Sequence, residues 1–312
     1  MRKFTIGPND AGQRIDRFLS KAMPEMPLSA AQKGIRTRNI KLNGGRCRPE
    51  QRLTLGDELL VYVHKQGGPA NRPFATPAKQ GDLNIVYQDK NIIVVNKPSG
   101  LPCQNEAGRP LQDTLEGRLR AYLAETGEWA PKTENSFIPS LCHRIDRNTA
   151  GLVLGAKTAV ASRIIAQKIR DGEITKRYLC VVHGHPNPPE GRLEDFLFKD
   201  AKRNFVMVKK TRERGAKTAI MDYRTVDIRG NLSLLECTLA TGRTHQIRVQ
   251  LASRGWPLLG DGKYGASDKA RSGKGQALCA YKISFAFNTP AGALQYLKGK
   301  DFSIRISFED FY

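Results

Sequence analysis

Ser140–Leu154 reads S-L-C-H-R-I-D-R-N-T-A-G-L-V-L, and the rest of the chain is organised around it. The apolar run Leu152-Val153-Leu154 follows a polar knot of His143, Arg144, Asp146 and Arg147, closed by Thr149, Ala150 and Gly151. The run reads as a buried strand and the knot as the loop that feeds it. A lone carboxylate between two arginines on such a loop is where a charge can be held rigidly at a cleft. An Asp146 that merely caps a surface turn fits the spacing equally well, and this stretch alone does not separate the two.

Around it lies a large domain, about residues 81 to 312. Ile85-Val86-Tyr87 and Ile92–Asn96 flank a polar break and predict a hairpin whose second strand is fully buried. Asn96-Lys97-Pro98-Ser99-Gly100-Leu101 turns the chain; Lys97 reads as a turn lysine near a polyanion, with an amine nucleophile as the sharper alternative. Leu111, Leu115, Leu119, Tyr122 and Leu123 predict an amphipathic helix ended at Gly127. Val160, Ile164 and Ile169 predict another, with Arg163, Lys168 and Arg170 outside. Thr175–Val182 is a strand that points Tyr178 to the face of Cys180 and Val182.

Residues 199 to 217 form the most basic stretch, with Lys209, Lys210 and Arg212 in a strand-loop excursion suited to phosphate contact. Leu232–Leu239 alternates as a strand and runs into Thr241-Gly242-Arg243-Thr244-His245-Gln246-Ile247-Arg248, then a helix stopped by Gly255. Gly260–Gly265 fits G-x-G-x-x-G literally. It opens no periodic helix and has no acidic residue about twenty positions on, so it reads as a turn and not a dinucleotide site.

Residues 1 to 64 form a separate small module. Asp10 with Gln13, and Ser29 with Gln32, resemble capping boxes opening two helices. Ile40-Lys41-Leu42, the turn Asn43-Gly44 and the alternating stretch to Val63 predict a hairpin. Lys33, Arg36, Arg38, Lys41, Arg46 and Arg48 crowd the second helix and hairpin, a basic face suited to RNA phosphates. Residues 65 to 80 are rich in Gly and Pro and read as a flexible tether that lets the module move.

The 312 residues suffice for both units, and 39% hydrophobic with 26% charged residues is ordinary for a globular protein. No run of about 18 apolar residues exists for a membrane span, and Met1–Ile6 lacks the apolar core of a secretory signal. The expectation is a cytoplasmic monomer. A net charge of +21 favours a polyanion through counterion release. Nucleic acid comes first; an anionic membrane is second, since no long amphipathic basic helix stands out. Six dispersed cysteines, with no C-x-x-C pair and no zinc spacing, read as reduced structural thiols, and no metal is expected.

His143–Gly151, H-R-I-D-R-N-T-A-G, resembles the signature of the RluA-type pseudouridine synthases, H-R-[LI]-D-x-x-[TS]-[SA]-G. Thr241–Arg248 resembles the family's T-G-R-x-H-Q-I-R. Shorter matches are V-V-N-K-P-x-G at Val94–Gly100, K-x-Y at Lys176–Tyr178 and G-D-x-x-Y-G at Gly260–Gly265. Arg14–Leu19 and Leu53–Asp57 resemble the ribosomal-protein-S-four-like RNA-binding module. Two departures stand beside the motifs: Gln250 and Cys279, where the family usually has histidine.

The resemblance implies an α+β protein. Its catalytic domain has a mainly antiparallel, bifurcated central sheet with flanking helices and a cleft across the middle, and a small αβ RNA-binding module precedes it. It implies isomerisation of uridine to pseudouridine without cofactor or metal, Asp146 being the nucleophile, Arg248 its partner and Tyr178 the surface against the base. His143, Arg144, Thr149, Arg243, His245, Gln246 and Leu278 are implied to contact the substrate, with Arg144 a candidate to fill the hole left in the base stack. The module points to large-subunit ribosomal RNA over transfer RNA.

Physical chemistry agrees with the Asp–Arg pairing: desolvation alone neutralises a carboxylate, and a guanidinium is always charged and can grip it with two prongs. The rival from another class is a non-catalytic RNA-binding or ribosome-assembly factor, which the charge equally permits. A metal-dependent nuclease built on Asp146 needs further carboxylates that its motif does not supply.

Overall fold

The computed structural model describes residues 1–62, 82–105, 113–265 and 275–311. The predicted tether, together with Val63 and Leu111, lies outside the described residues.

The N-terminal unit pairs two short helices with a three-stranded sheet. β1 (Arg2–Thr5), α1 (Ile15–Ala22), α2 (Leu28–Arg36), β2 (Ile40–Leu42) and β3 (Glu58–Val61) follow in order, with the strands arranged β1-β3-β2. Ile15, Phe18, Leu19 and Ala22 fall on one face of α1 and are buried, Phe18 packing edge-to-face on Phe4 with ring centroids 5.5 Å apart. β1 was not predicted; four residues with a single buried position carry little periodicity.

Neither predicted capping box forms. α1 starts after Arg14 and α2 after Pro27, both without a side-chain cap. Asp10, 1% exposed, instead accepts hydrogen bonds from Ser136 Oγ at 2.6 Å and Asn135 Nδ2 at 2.8 Å. Gln13 Nε2 donates to the same Ser136 Oγ at 2.9 Å, and Asn9 Oδ1 accepts from the Ala159 amide at 3.0 Å. The helix-start residues of the sequence are thus a polar clasp between the module and the following domain.

That domain is built on one eleven-stranded sheet. Its strands are β4 (Ile85–Gln88), β5 (Ile92–Lys97), β6 (Ser140–Leu141), β7 (Ala150–Ala156), β8 (Ile174–His183), β9 (Glu190–Asp200), β10 (Phe205–Lys209), β11 (Lys217–Arg229), β12 (Leu232–Leu239), β13 (Leu278–Phe285) and β14 (Asp301–Ser303). The main path runs β10-β9-β11-β12-β8-β13-β7-β5-β4, with β6 on β7 and β14 on β13. Two antiparallel halves meet at β13 and β7, which pair in parallel through Cys279↔Ala150 and Ala280↔Gly151.

α3 (Leu115–Glu125) and α4 (Ala159–Arg170) flank the sheet, each N-capped by a threonine, Thr114 and Thr158. α5 (Gln246–Ala252) follows β12. The predicted hairpin is β4–β5, and Ile92, Ile93, Val94 and Val95 are completely buried. Lys168 does not lie outside α4: it is buried, pairing with Glu173 at 2.6 Å and bonded to Thr289. All six cysteines are free thiols.

Candidate active site

The loop between β6 and β7 carries Asp146, and the first turn of α5 carries Arg248. Each charged residue is preceded by a buried isoleucine, Ile145 and Ile247, and both enter one apolar cluster with Tyr178 and Leu278. Burying the two isoleucines brings together groups 102 residues apart: Arg248 Nη1 donates to Asp146 Oδ2 at 2.8 Å. Arg248 is 9% exposed in its side chain and Asp146 27%, so the carboxylate is the member that faces the open cleft.

The rest of the guanidinium is occupied from behind. Nε donates to Asp261 Oδ2 at 2.7 Å and Nη2 to Asp261 Oδ1 at 2.8 Å. Asp261 is 1% exposed, and Arg248 holds its carboxyl below the ordinary carboxylate range against the burial that would raise it. The Tyr264 ring lies under the guanidinium, 5.1 Å from Cζ to the centroid. Both residues belong to the G-D-x-x-Y-G stretch read in the sequence only as a turn.

His245 precedes α5 in the left-handed region, φ 54°, unusual for a side chain with a Cβ. Its Nδ1 lies 2.8 Å from the Tyr264 hydroxyl, which accepts from the Val206 amide at 2.9 Å and so has its own proton to give to the imidazole. Burial pushes His245 down to about 4. Its Nε2 faces Asp146 Oδ2 at 3.8 Å, beyond direct hydrogen-bond reach.

The loop bearing Asp146 is fixed from below by Lys97. This side chain is fully buried, and its Nζ donates to the carbonyls of Pro98 at 2.8 Å, Leu101 at 2.7 Å and Arg147 at 2.8 Å. Burial pulls its ammonium down to about 8. Lys97 thus stands at the turn as a buried backbone clamp. At Gly151, φ 111°, a Cβ would come 2.3 Å from the Ala280 carbonyl oxygen, so only glycine lets β7 approach β13 so closely.

The remaining predicted site residues divide. Leu278, Arg144, His143 and Arg243 line the same trough as Asp146 and Tyr178. The ring nitrogens of His143 are buried, and burial, with Lys176 nearby, pushes it down to about 3. Gln246 and Thr149 line the trough as well, and Gln246 also braces its loop. Its Nε2 donates to the Ile220 carbonyl, and its Oε1 accepts from Thr241 Oγ1 and the Arg243 amide. Thr149 is likewise buried, its hydroxyl accepting from Gln276 at 3.2 Å. Burial drives the Tyr178 phenol well above its ordinary value, with Asp146 adding to the rise. Gln250, one of the two departures, donates to Asp195 Oδ2 at 2.7 Å; Cys279, the other, is buried in a neighbouring apolar cluster.

The trough encloses about 2070 Å³. Small-molecule sites run to ~300–1,000 Å³, so this one suits a length of polymer. Arg144, Arg147, Lys176, Lys199, Lys202, Arg243 and Lys263 line it, against the carboxylates of Asp146 and Asp222. That excess of cations suits a phosphodiester chain.

A family described as RNA pseudouridylate synthase matches residues 91–253, more than half of the chain. The chain belongs to this family. It is an RNA pseudouridine synthase, and an S4 domain matches residues 13–59 ahead of the catalytic region.

An uncharacterized RNA pseudouridine synthase of Mycoplasma pneumoniae is 33% identical to the synthase over 295 residues, covering 91% of this chain and 88% of that one. The ribosomal large subunit pseudouridine synthase D of Neisseria meningitidis is 30% identical over 285 residues, 88% of this chain and 72% of that one. The solved structure of human RNA pseudouridylate synthase domain containing 4 has the same fold. Its TM-score is 0.56 at 22% identity, with 73% of this chain and 90% of that one covered.

The six basic residues Lys33, Arg36, Arg38, Lys41, Arg46 and Arg48 lie on the S4 surface and, among the described residues, make no ion pair. Lys210 and Arg212 are exposed beyond β10, while Lys209 is paired with Glu213 at 3.0 Å. No described helix is long and apolar enough to cross a membrane.

Proposed function

We propose that the synthase isomerises uridine to pseudouridine in large-subunit ribosomal RNA, with Asp146 as the nucleophile on a uridine flipped out of its stack. The observation that carries the assignment is the 2.8 Å contact of Asp146 with Arg248 at the wall of a cationic trough. The ribosomal substrate is supported by relatives named ribosomal large subunit pseudouridine synthase D and by the basic S4 surface.

In this reading the extruded base, whose unstacking costs a few kcal/mol, is offset by contacts in the pocket against Tyr178 and Leu278. Asp146 attacks the anomeric carbon of the ribose or the uracil ring. The bond from that carbon to N1 breaks, and the uracil turns while held. A bond then forms from the anomeric carbon to carbon five as the bond to the Asp146 oxygen breaks and frees the carboxylate; the carbon-five proton leaves to solvent and N1 takes up a proton. Tyr178, whose phenol burial raises above its ordinary value, packs against the base. In this reading Arg144, exposed two residues before Asp146, fills the vacated stack.

The test is Asp146→Asn on large-subunit transcripts tritiated at uracil carbon five. Tritium release should vanish while RNA affinity stays within about threefold. Continued release by the variant would rule out Asp146 as nucleophile.

A further inference from the structure

Lys176 stands two residues before Tyr178 on β8, so both project from one face of the strand, ~6.7 Å apart along it. Both side chains line the trough. Among the described residues the Lys176 ammonium has no hydrogen bond and no ion pair. Burial pulls it below the ordinary lysine range, and no carboxylate acts to raise it back.

The neighbouring acids are committed elsewhere. Asp301 pairs with Lys282 at 2.6 Å, and Lys282 is in register with Arg177, whose side chain leaves the opposite face of β8. Asp146 is held by Arg248. His143, which Lys176 itself pushes toward the neutral form, offers no counter-charge. An ammonium largely withdrawn from water without an anion is unfavourable, and the free energy is recovered when a ligand brings one. Of the groups an RNA carries, only the phosphate is anionic, and a compact ammonium with three donors suits its oxygens.

We propose that Lys176 orients the target nucleotide by holding one of the two phosphates that flank the uridine packed against Tyr178. The inference rests on the reading under Proposed function and adds to it a contact with the substrate backbone inside the trough. It makes Lys176 a residue that sets the depth to which the base enters, distinct from the exposed lysines that attract RNA at long range.

The experiment uses the full-length protein and a large-subunit transcript. A synthetic segment is ligated into it, with either phosphate next to the modified uridine present as the native diester or as a neutral methylphosphonate. Single-turnover rates and KM are measured for wild type, Lys176→Met and Lys176→Arg. Neutralising one of the two phosphates should slow the wild type roughly 10- to 100-fold, the scale of one charge-assisted hydrogen bond. Lys176→Met should show that loss on native RNA and no further loss on the methylphosphonate, whereas Lys176→Arg keeps the sensitivity.

Lys176→Gln serves as the second neutral variant if the methionine variant does not fold. A neutral variant that processes native RNA at the wild-type rate, or remains as sensitive to methylphosphonate as wild type, overturns the proposal alone. A wild type inert on the transcript sinks the substrate reading and this proposal with it.

Discussion

Asp261 and Arg248 face each other through two parallel hydrogen bonds of 2.7 and 2.8 Å, and this leaves Nη1 of the guanidinium aimed at Asp146. One planar group therefore serves two carboxylates, a buried one that fixes its orientation and a half-exposed one that it presents to the cleft. Lysine has neither the planarity nor the donor count for both.

Asp261→Asn removes half of that fork and lets the guanidinium swing. Misplacement on the scale of an ångström costs about 10²-fold in rate, so kcat should fall by that order while KM for RNA changes little. Arg248→Lys should act in the same direction. Single-turnover tritium release decides it; a kcat within twofold of wild type would show that Asp261 does not position Arg248.

Two buried histidines give the fold an acid-sensitive stability. His143 and His245 are lowered to about 3 and about 4, from an ordinary value of 6.5. The unfolded chain then binds more protons than the folded one. Stability is full above the unfolded value near 6.5 and is lost as pH falls toward 4 and 3. Each contributes on the order of a few kcal/mol. Denaturant midpoints for wild type should drop between pH 7 and 4.5, and His143→Asn should flatten that drop. An identical slope in the variant would contradict the burial of the imidazole.

Lys97→Met leaves three carbonyls, that of Leu101 buried and those of Pro98 and Arg147 partly so, without their donor. At about 1 kcal/mol or more each, the loss is on the order of 3 kcal/mol, roughly 5 °C in Tm for a chain of this size. Turnover should fall with it, because the Arg147 carbonyl next to Asp146 loses its anchor. A Tm unchanged by thermal scanning would exclude the clamp.

Asp10→Ala cuts the clasp between the S4 domain and the catalytic domain at its centre. Hydrogen exchange should accelerate in residues 1–62 while the amides of β8 and β12 remain protected. RNA affinity should weaken, since the basic surface and the trough no longer act from a fixed separation. Unchanged exchange in the module would mean that Asp10 does not hold it.

Where a pattern repeats locally, the amino-acid order was informative. Alternation marked β12 from Leu232 to Leu239, and the two long motifs pointed to Asp146 and Arg248 before any geometry was known. What escaped was set by partners far along the chain. Asp10 and Gln13 have the spacing of a helix cap, yet their partner Ser136 lies 126 and 123 residues away. Asp261 looked like a turn residue because nothing local says that a guanidinium 13 positions earlier requires it. Lys97 and Lys168 each also hold a carbonyl from a distant segment, Arg147 and Thr289, which nothing local announces.

At Gly151 the backbones of β7 and β13 nearly touch, five positions after Asp146. Asp146, the proposed nucleophile, thereby inherits its coordinates from the seam joining the two halves of the sheet. Anyone wishing to redirect this enzyme to another base has little freedom there, since even a single methyl group would prise the seam apart. Redesign has to begin at Tyr178 and Leu278, where side chains and not main chain define the space.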